Sequence, residues 1–144
     1  MTDPLPVARE IVSARPGDPV VSLTHEERLL RRKRLSSSDG ALFLVDLPAA
    51  RDVRPGEAFL LSDGSRVAVH AADQALLEVR GDLPRLAWHI GNRHTPCEIA
   101  EGHLRIAADH VLEDMLNGLG AELRHVTAPF APEGGAYGHG RTMG

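Results

Sequence analysis

Apolar and polar positions alternate with two different rhythms along the chain. From Val20 to about Ala72 the apolar runs are short, and turn-forming pairs such as Asp63-Gly64 separate them. An Asp-Gly pair between two apolar runs is typical of a β-hairpin. The pattern therefore predicts a small sheet or barrel, with its clearest strands at residues 41–47, 57–61 and 66–70. Residues 1–18 are polar and show little periodicity.

The segment from Thr24 to Leu35 is ambiguous between helix and strand. It is rich in helix-forming residues, and Thr24 is a plausible helix cap. Its neighbours on both sides read as strands, and helix propensity is a weak prior that such surroundings override. We expect strand and loop here rather than helix.

After a connector at residues 71–74 the pattern changes to alternating strands and helices. A strand at 76–80 leads to a helix that Asp82 can cap, with Pro84 in its first turn. The apolar stripe of this helix falls on one face and predicts that the helix continues to His94, with Pro96 closing it. The stripe comprises Leu83, Ala87, Ile90 and His94.

The remaining elements complete a recognisable order. Two short strands at 97–99 and 103–106 precede a helix capped by Asp109, and a last strand covers 121–126. Strand, helix, strand, strand, helix, strand is the ferredoxin-like βαββαβ pattern. The predicted fold class is therefore α+β. We predict a β-rich domain over residues 1–73, a ferredoxin-like domain over 74–127, and a mobile Gly- and Pro-containing tail over 128–144.

Composition narrows the class of function. The chain of 144 residues has a net charge of −4, few aromatic residues and a single cysteine. Modest charge and scarce aromatics argue against a nucleic-acid partner. The absence of a long apolar stretch or signal pattern argues against a membrane. One cysteine excludes an internal disulfide, so a cytoplasmic location is expected.

His94 is the strongest candidate for a metal ligand, and its position in the sequence has two interpretations. On an apolar stripe, a lone histidine is commonly a packed residue. Alternatively it projects from a two-fold dimer interface, where each residue on the axis meets its own copy and one histidine becomes a two-imidazole site. Imidazole suits nickel, copper and zinc, and it is mostly neutral at pH 7.

Several motifs in order resemble the UreE family of urease accessory proteins. They are Gly91-Asn92-Arg93-His94, the run Asp109–Leu116, Gly118-Leu119-Gly120-Ala121, and the run Pro129–Tyr137. The resemblance implies a β-rich protein-binding domain, a ferredoxin-like metal-binding domain that forms a homodimer, and delivery of Ni(II) to apo-urease with an accessory GTPase and associated accessory proteins. It makes His94 the principal metal ligand.

Two other histidines are secondary candidates for metal contact. His110 matches the family's Asp-His-Val-Leu motif, although it could equally be an exposed helix-start residue. His139 stands in the tail where many relatives carry a histidine-rich run, and a flexible histidine can reach back to complete a site. Cys97 is expected to be a small packing residue, and His89 mainly structural.

The implied role is that of a binding protein and not an enzyme. The alternative is a small metal-dependent hydrolase, which would need a metal-bound water and a general base in a shielded pocket. The chain has no His-Glu-x-x-His, Gly-x-Ser-x-Gly or phosphate-loop motif. A two-imidazole site should also take Zn(II) or Cu(II) in vitro.

Overall fold

The computed structural model describes residues 4–133. The chain divides into two compact units after Ala71, and each is described by itself below. Among the described residues no helix is long and apolar enough to cross a membrane.

The first unit is a six-stranded mixed sheet. Its strands are β1 Val7–Ser13, β2 Val20–Leu23, β3 Leu29–Ser36, β4 Leu42–Asp52, β5 Glu57–Leu61 and β6 Arg66–Ala71. They lie in the order β2-β6-β5-β1-β4-β3. The β1–β4 and β2–β6 pairs are parallel, and the others are antiparallel. The hairpin predicted around Asp63-Gly64 is confirmed as the β5–β6 pair.

Strand β1 lies inside the sheet, although the sequence pattern showed no strand before Val20. It pairs with β4 on one side and β5 on the other, and its register shifts between Ala8 and Glu10. A bulge breaks the two-residue alternation by which strands are recognised. Only Ala8 of the strand is fully buried, so the apolar signal that remains is weak.

The ambiguous segment contains both features that its sequence suggested. The Thr24 N–H donates to Glu27 Oε1 at 2.8 Å and the Glu27 N–H donates to Thr24 Oγ1 at 3.4 Å, a reciprocal cap. Only a 3₁₀ turn at Glu26–Arg28 follows before β3 begins. Leu30 and Leu35 of β3 are buried in the core. The expectation of strand and loop is confirmed, because burial in the sheet outweighs helix propensity.

The second unit is a four-stranded sheet with two helices. Its elements are β7 Asp73–Arg80, α1 Leu83–Asn92, β8 Glu98–Ala100, β9 His103–Ala107, α2 His110–Gly118 and β10 Glu122–Pro129. The strand order β10-β7-β9-β8, with antiparallel neighbours throughout, is the ferredoxin-like arrangement. The predicted α+β class is confirmed.

Both helices begin at the caps that the sequence indicated. Asp82 accepts a hydrogen bond from the Arg85 N–H, and Asp109 accepts from the N–H groups of Val111 and Leu112. The helices bury apolar side chains against one face of the sheet. The fully buried members of this core are Leu77, Val79, Leu86, Ile90, Leu104, Ile106 and Leu116.

Several element ends differ from the predicted ones, and β4 in particular continues to Asp52 instead of ending at residue 47. Helix α1 ends at Asn92, so the prediction that its apolar stripe continues to His94 is wrong. The chain leaves the helix there because His94 adopts a left-handed backbone conformation. At the other end of the unit β10 extends to Pro129, three residues beyond the predicted end of the last strand.

The other face of the sheet carries a cluster of charged side chains. Glu78, Arg105 and Glu98 occupy facing positions on β7, β9 and β8. The nearly buried Glu78 accepts hydrogen bonds from Arg80 and, at 3.1 Å, from Arg105. The Arg80 bond is the main cause that lowers the pKa of Glu78 below its ordinary value, and the Arg105 bond adds to it, while desolvation opposes both.

We expect Glu78→Gln to lower the free energy of unfolding by about 2 kcal/mol at pH 7, because two guanidinium groups lose their counter-charge. Arg80 is substantially exposed, which keeps the loss below that of a fully buried pair. The folded-state pKa of Glu78 lies below the ordinary value of 4.5. Its contribution is therefore complete above that pH and is lost as pH falls through the folded pKa.

Urea denaturation followed by circular dichroism at several pH values measures this difference. Glu101→Gln, in the exposed turn after β8, is the control for loss of one carboxylate. A difference between Glu78→Gln and the natural chain that stayed constant from pH 7 to pH 3 would contradict the ionic role.

Candidate metal centre

The loop between α1 and β8 holds His94 by three backbone hydrogen bonds. The N–H of Arg93 donates to the Ile90 carbonyl at 3.1 Å, that of His94 to the Gly91 carbonyl at 2.9 Å, and that of Thr95 to the Ile90 carbonyl at 3.4 Å. The acceptors are carbonyl groups of the last helical turn, which would otherwise lack a hydrogen-bond partner within the helix. Because Ile90 is fully buried against the sheet, the loop is fixed to a rigid element.

His94 is the one residue other than glycine with a positive φ in the described part of the chain, at 57°. Left-handed backbone costs a non-glycine residue roughly 1–2 kcal/mol. Such outliers cluster at functional sites, where the surrounding structure imposes them. The hydrogen bonds from Thr95 to Ile90 and from His94 to Gly91 are those of the Schellman ending of a helix, whose left-handed position histidine adopts more readily than most side chains.

The position of His94 is electrostatically suited to a cation. The residue is exposed and lies two positions after the end of α1. The carboxyl end of a helix carries a partial negative charge that stabilises nearby positive charge. A metal ion held on the His94 imidazole would gain from this field.

His110 occupies the opposite electrostatic situation. It is the first residue of α2, directly after the cap Asp109, and it is exposed. The positive end of the helix dipole disfavours a cation there, although the Asp109 carboxylate offsets part of the effect. The third predicted ligand, His139, lies outside the described residues.

Cys97 behaves as a packing residue. It is half-buried and lies against the apolar core of the second unit. Burial, followed by the charges of Glu133 and Glu98, raises the pKa of its thiol to about 11. A thiolate is the form that binds metal, so this thiol is a poor ligand at neutral pH.

Two further histidines contact carboxylates, which the sequence pattern did not indicate. His125 Nε2 lies 3.1 Å from Glu113 Oε2, and His103 Nε2 lies 4.0 Å from Glu78 Oε2. Both pairs join residues that are distant in sequence, so no local motif could reveal them. Within residues 4–133 no group of three or more His, Cys, Asp or Glu side chains is arranged to hold a metal ion.

Exposed apolar side chains flank His94 on both sides in the sequence. Trp88 of α1 is 63% exposed and Ile99 of β8 is 59% exposed. Ile99 faces Leu104 across the β8–β9 pair, on the face of the sheet that the helices cover. Exposed apolar side chains mark a protein-binding surface when they form one contiguous patch, whereas single ones are common on any protein surface.

Comparison with known proteins decides the family. The UreE urease accessory protein N-terminal domain matches residues 8–72, and the UreE C-terminal domain matches residues 69–144. The chain is 57% identical to the urease accessory protein UreE of Ruegeria pomeroyi over 129 residues, which are 89% of this chain and 87% of the relative. It is 56% identical to that of Paracoccus denitrificans over 140 residues, 96% and 90% of the two chains.

The chain belongs to the UreE family of urease accessory proteins. The resemblance drawn from its motifs is therefore confirmed. As a UreE-family protein it has an accessory role in urease maturation. The two UreE domain models meet at residues 69–72, where the structure divides after Ala71. His94 and His110 both lie within the match to the UreE C-terminal domain.

The left-handed backbone makes glycine the appropriate replacement for testing His94. We expect His94→Gly to change the free energy of unfolding by less than about 1 kcal/mol, because glycine adopts this conformation without steric cost. His94→Val should cost about 1–2 kcal/mol, since a β-branched residue resists it. Thermal unfolding of both variants measures the difference. A large loss in His94→Gly would make the imidazole a packing residue.

Proposed function

We propose that this protein is a nickel metallochaperone, which binds Ni(II) and delivers it to apo-urease during assembly of the urease metallocentre. In this proposal it works in the cytoplasm with the urease accessory GTPase and associated accessory proteins. It carries the metal without catalysing a reaction. The family supports the accessory role, and the exposed imidazole of His94 supports a divalent transition metal as the cargo.

The observation that carries the proposal is the exposed position of His94 at the negative end of α1. A carrier must release its ion, so it needs a site that the protein leaves partly open. A structural zinc site is normally closed by four ligands. The exposed imidazole of His94 supplies the opposite, a site that solvent or a recipient protein can enter.

Two-fold symmetry would convert this single ligand into a carrier site. In a homodimer whose axis passes near His94, two imidazoles meet. In this proposal the exposed Trp88 and Ile99, which precede and follow His94 in the sequence, supply apolar surface for such an interface. His110 and His139 are proposed as auxiliary ligands, with His110 the weaker because of the helix dipole.

The metal preference of such a site is broad. Imidazole ligands bind Cu(II) and Zn(II) at least as readily as Ni(II), following the general affinity order of divalent ions. We therefore expect both to bind in vitro. Selection of nickel then depends on which metal and which partner proteins are present.

We expect the natural chain to bind about one tight Ni(II) per dimer, and His94→Gly to lose this site while remaining dimeric. The reason is that His94 supplies an imidazole from each chain. Equilibrium dialysis gives the stoichiometry and analytical ultracentrifugation gives the dimer. His125→Ala removes another exposed imidazole of the same unit and serves as the control.

Two outcomes would count against the proposal. Unchanged nickel binding in His94→Gly would place the ligand elsewhere, at His110, His139 or Cys97. Binding of one ion per chain in a monomeric natural protein would remove the shared site.

We expect Trp88→Glu to weaken the dimer and, through it, nickel affinity, because a carboxylate would replace an apolar contact near the axis. Leu42→Glu is the matched control, since Leu42 is a comparably exposed apolar residue of the first unit. Ultracentrifugation over a concentration series measures both. Equal dimer strength in the two variants would place the interface away from Trp88.

A further inference from the structure

A histidine–carboxylate pair joins the second helix of the ferredoxin-like unit to the edge of its sheet. His125 Nε2, on the edge strand β10, lies 3.1 Å from Glu113 Oε2 on α2. The exposed fraction of the side chain is 65% for His125 and 29% for Glu113. A dissolved ion can therefore reach both groups from solvent.

The segment that holds this pair is negatively charged. Residues 106–123 contain four carboxylates and no lysine or arginine; the carboxylates are those of Asp109, Glu113, Asp114 and Glu122. Arg105 and Arg124 border the segment, but both face Glu78 on the side of the sheet away from the helices. The start of α2 contributes only about half a positive charge. The electrostatic potential at the pair therefore favours a cation.

The separation of the two atoms is that of neighbouring ligands on a metal ion. Bonds of about 2.0–2.1 Å, at an angle between about 90° and about 109°, place two ligand atoms about 3.0–3.4 Å apart. His125 Nε2 and Glu113 Oε2 are 3.1 Å apart. Since a hydrogen bond has a similar length, a metal ion can replace the shared proton while the two atoms keep their separation.

The replacement conserves the protons of the pair. A carboxylate only accepts hydrogen bonds, so the contact between His125 and Glu113 requires a proton on Nε2. When an ion binds Nε2 of the neutral ring, the single ring proton resides on Nδ1 and Nε2 donates its lone pair to the ion. In acid the imidazolium must first release a proton to water, so binding weakens as pH falls.

We propose that His125 and Glu113 form a second metal site, one in each chain, which binds Zn(II) with water completing the coordination. Zn(II) suits the pair because it accepts imidazole and carboxylate ligands together and has no geometric preference from its d-electrons. Within residues 4–133 no third His, Cys, Asp or Glu side chain is arranged with them to hold a metal ion. The site is therefore open, and it binds less tightly than a closed site of four protein ligands.

This site goes beyond the proposed function because it shares no residue with the loop that carries His94. Zn(II) bound between α2 and β10 does not occupy the His94 imidazole. One chain can then hold Zn(II) at the pair while His94 takes part in binding nickel.

A hydrogen bond that only fastens α2 to β10 is the competing explanation. In that case His125 Nε2 would keep its proton in the presence of Zn(II), and Glu113 would affect the stability of the unit alone. A metal site predicts instead that zinc displaces this proton and that Glu113 contributes to zinc affinity.

The experiment is a Zn(II) titration of the full chain, followed by proton–nitrogen correlation NMR of the histidine rings. Ring nitrogens that carry a proton, a lone pair or a metal ion have different chemical shifts. We expect Zn(II) to shift the His125 Nε2 resonance, and to do so equally in the natural chain and in His94→Gly.

Glu113→Gln keeps a hydrogen-bond acceptor for His125 but removes the charged ligand. We expect it to weaken Zn(II) binding at His125 by at least about tenfold, since even the outer-shell partners of metal ligands contribute this much. Asp114→Asn, which neutralises the exposed neighbouring carboxylate of the same helix, is the matched control and should have a smaller effect.

A His125 Nε2 that stays protonated in excess Zn(II) would overturn the proposal. Equal weakening by Glu113→Gln and Asp114→Asn would also overturn it, because the pair would then attract the ion only through its general charge. Failure of the proposed function is a separate result. It would appear as an absence of tight nickel binding in the natural chain and would leave the zinc measurements at His125 unaffected.

Discussion

Burial of α1 against the sheet is the interaction on which the rest of the site depends. Leu86 and Ile90 anchor the helix, and the carbonyl of the same Ile90 accepts hydrogen bonds from the loop that carries His94. One residue thus joins the apolar core to the candidate ligand. Because packing fixes the end of the helix, it also sets the left-handed turn at His94, next to the negative end of α1.

The two faces of the ferredoxin-like sheet differ in the side chains that they carry. One face buries the helices through aliphatic side chains, which stabilises the unit. The other face carries the Glu78–Arg105–Glu98 cluster, in which Glu98 also accepts a hydrogen bond from the Ala131 N–H. Charged residues on a sheet are costly to bury without partners, and here each carboxylate has one.

Much of the fold was predictable because its signals are local. Asp82 and Asp109 are capping residues and indicate where the two helices begin. The Asp63-Gly64 pair indicates a hairpin. The bulged strand β1 and the charged cluster could not be predicted from the sequence, because they depend on partners that are distant in the sequence. His94 itself was found by its motif, but its backbone was predicted wrongly. Helical periodicity alone cannot show where a chain turns into the left-handed region.

The central claim is that His94 from two chains forms an open carrier site. X-ray absorption spectroscopy of the nickel-bound protein tests it most directly, because the scattering of imidazole rings and of sulfur are distinguishable. The account predicts nitrogen and oxygen ligands including at least two imidazoles, with no sulfur, and loss of the imidazole signal in His94→Gly. A sulfur ligand from Cys97, or an imidazole signal unchanged in His94→Gly, would contradict it.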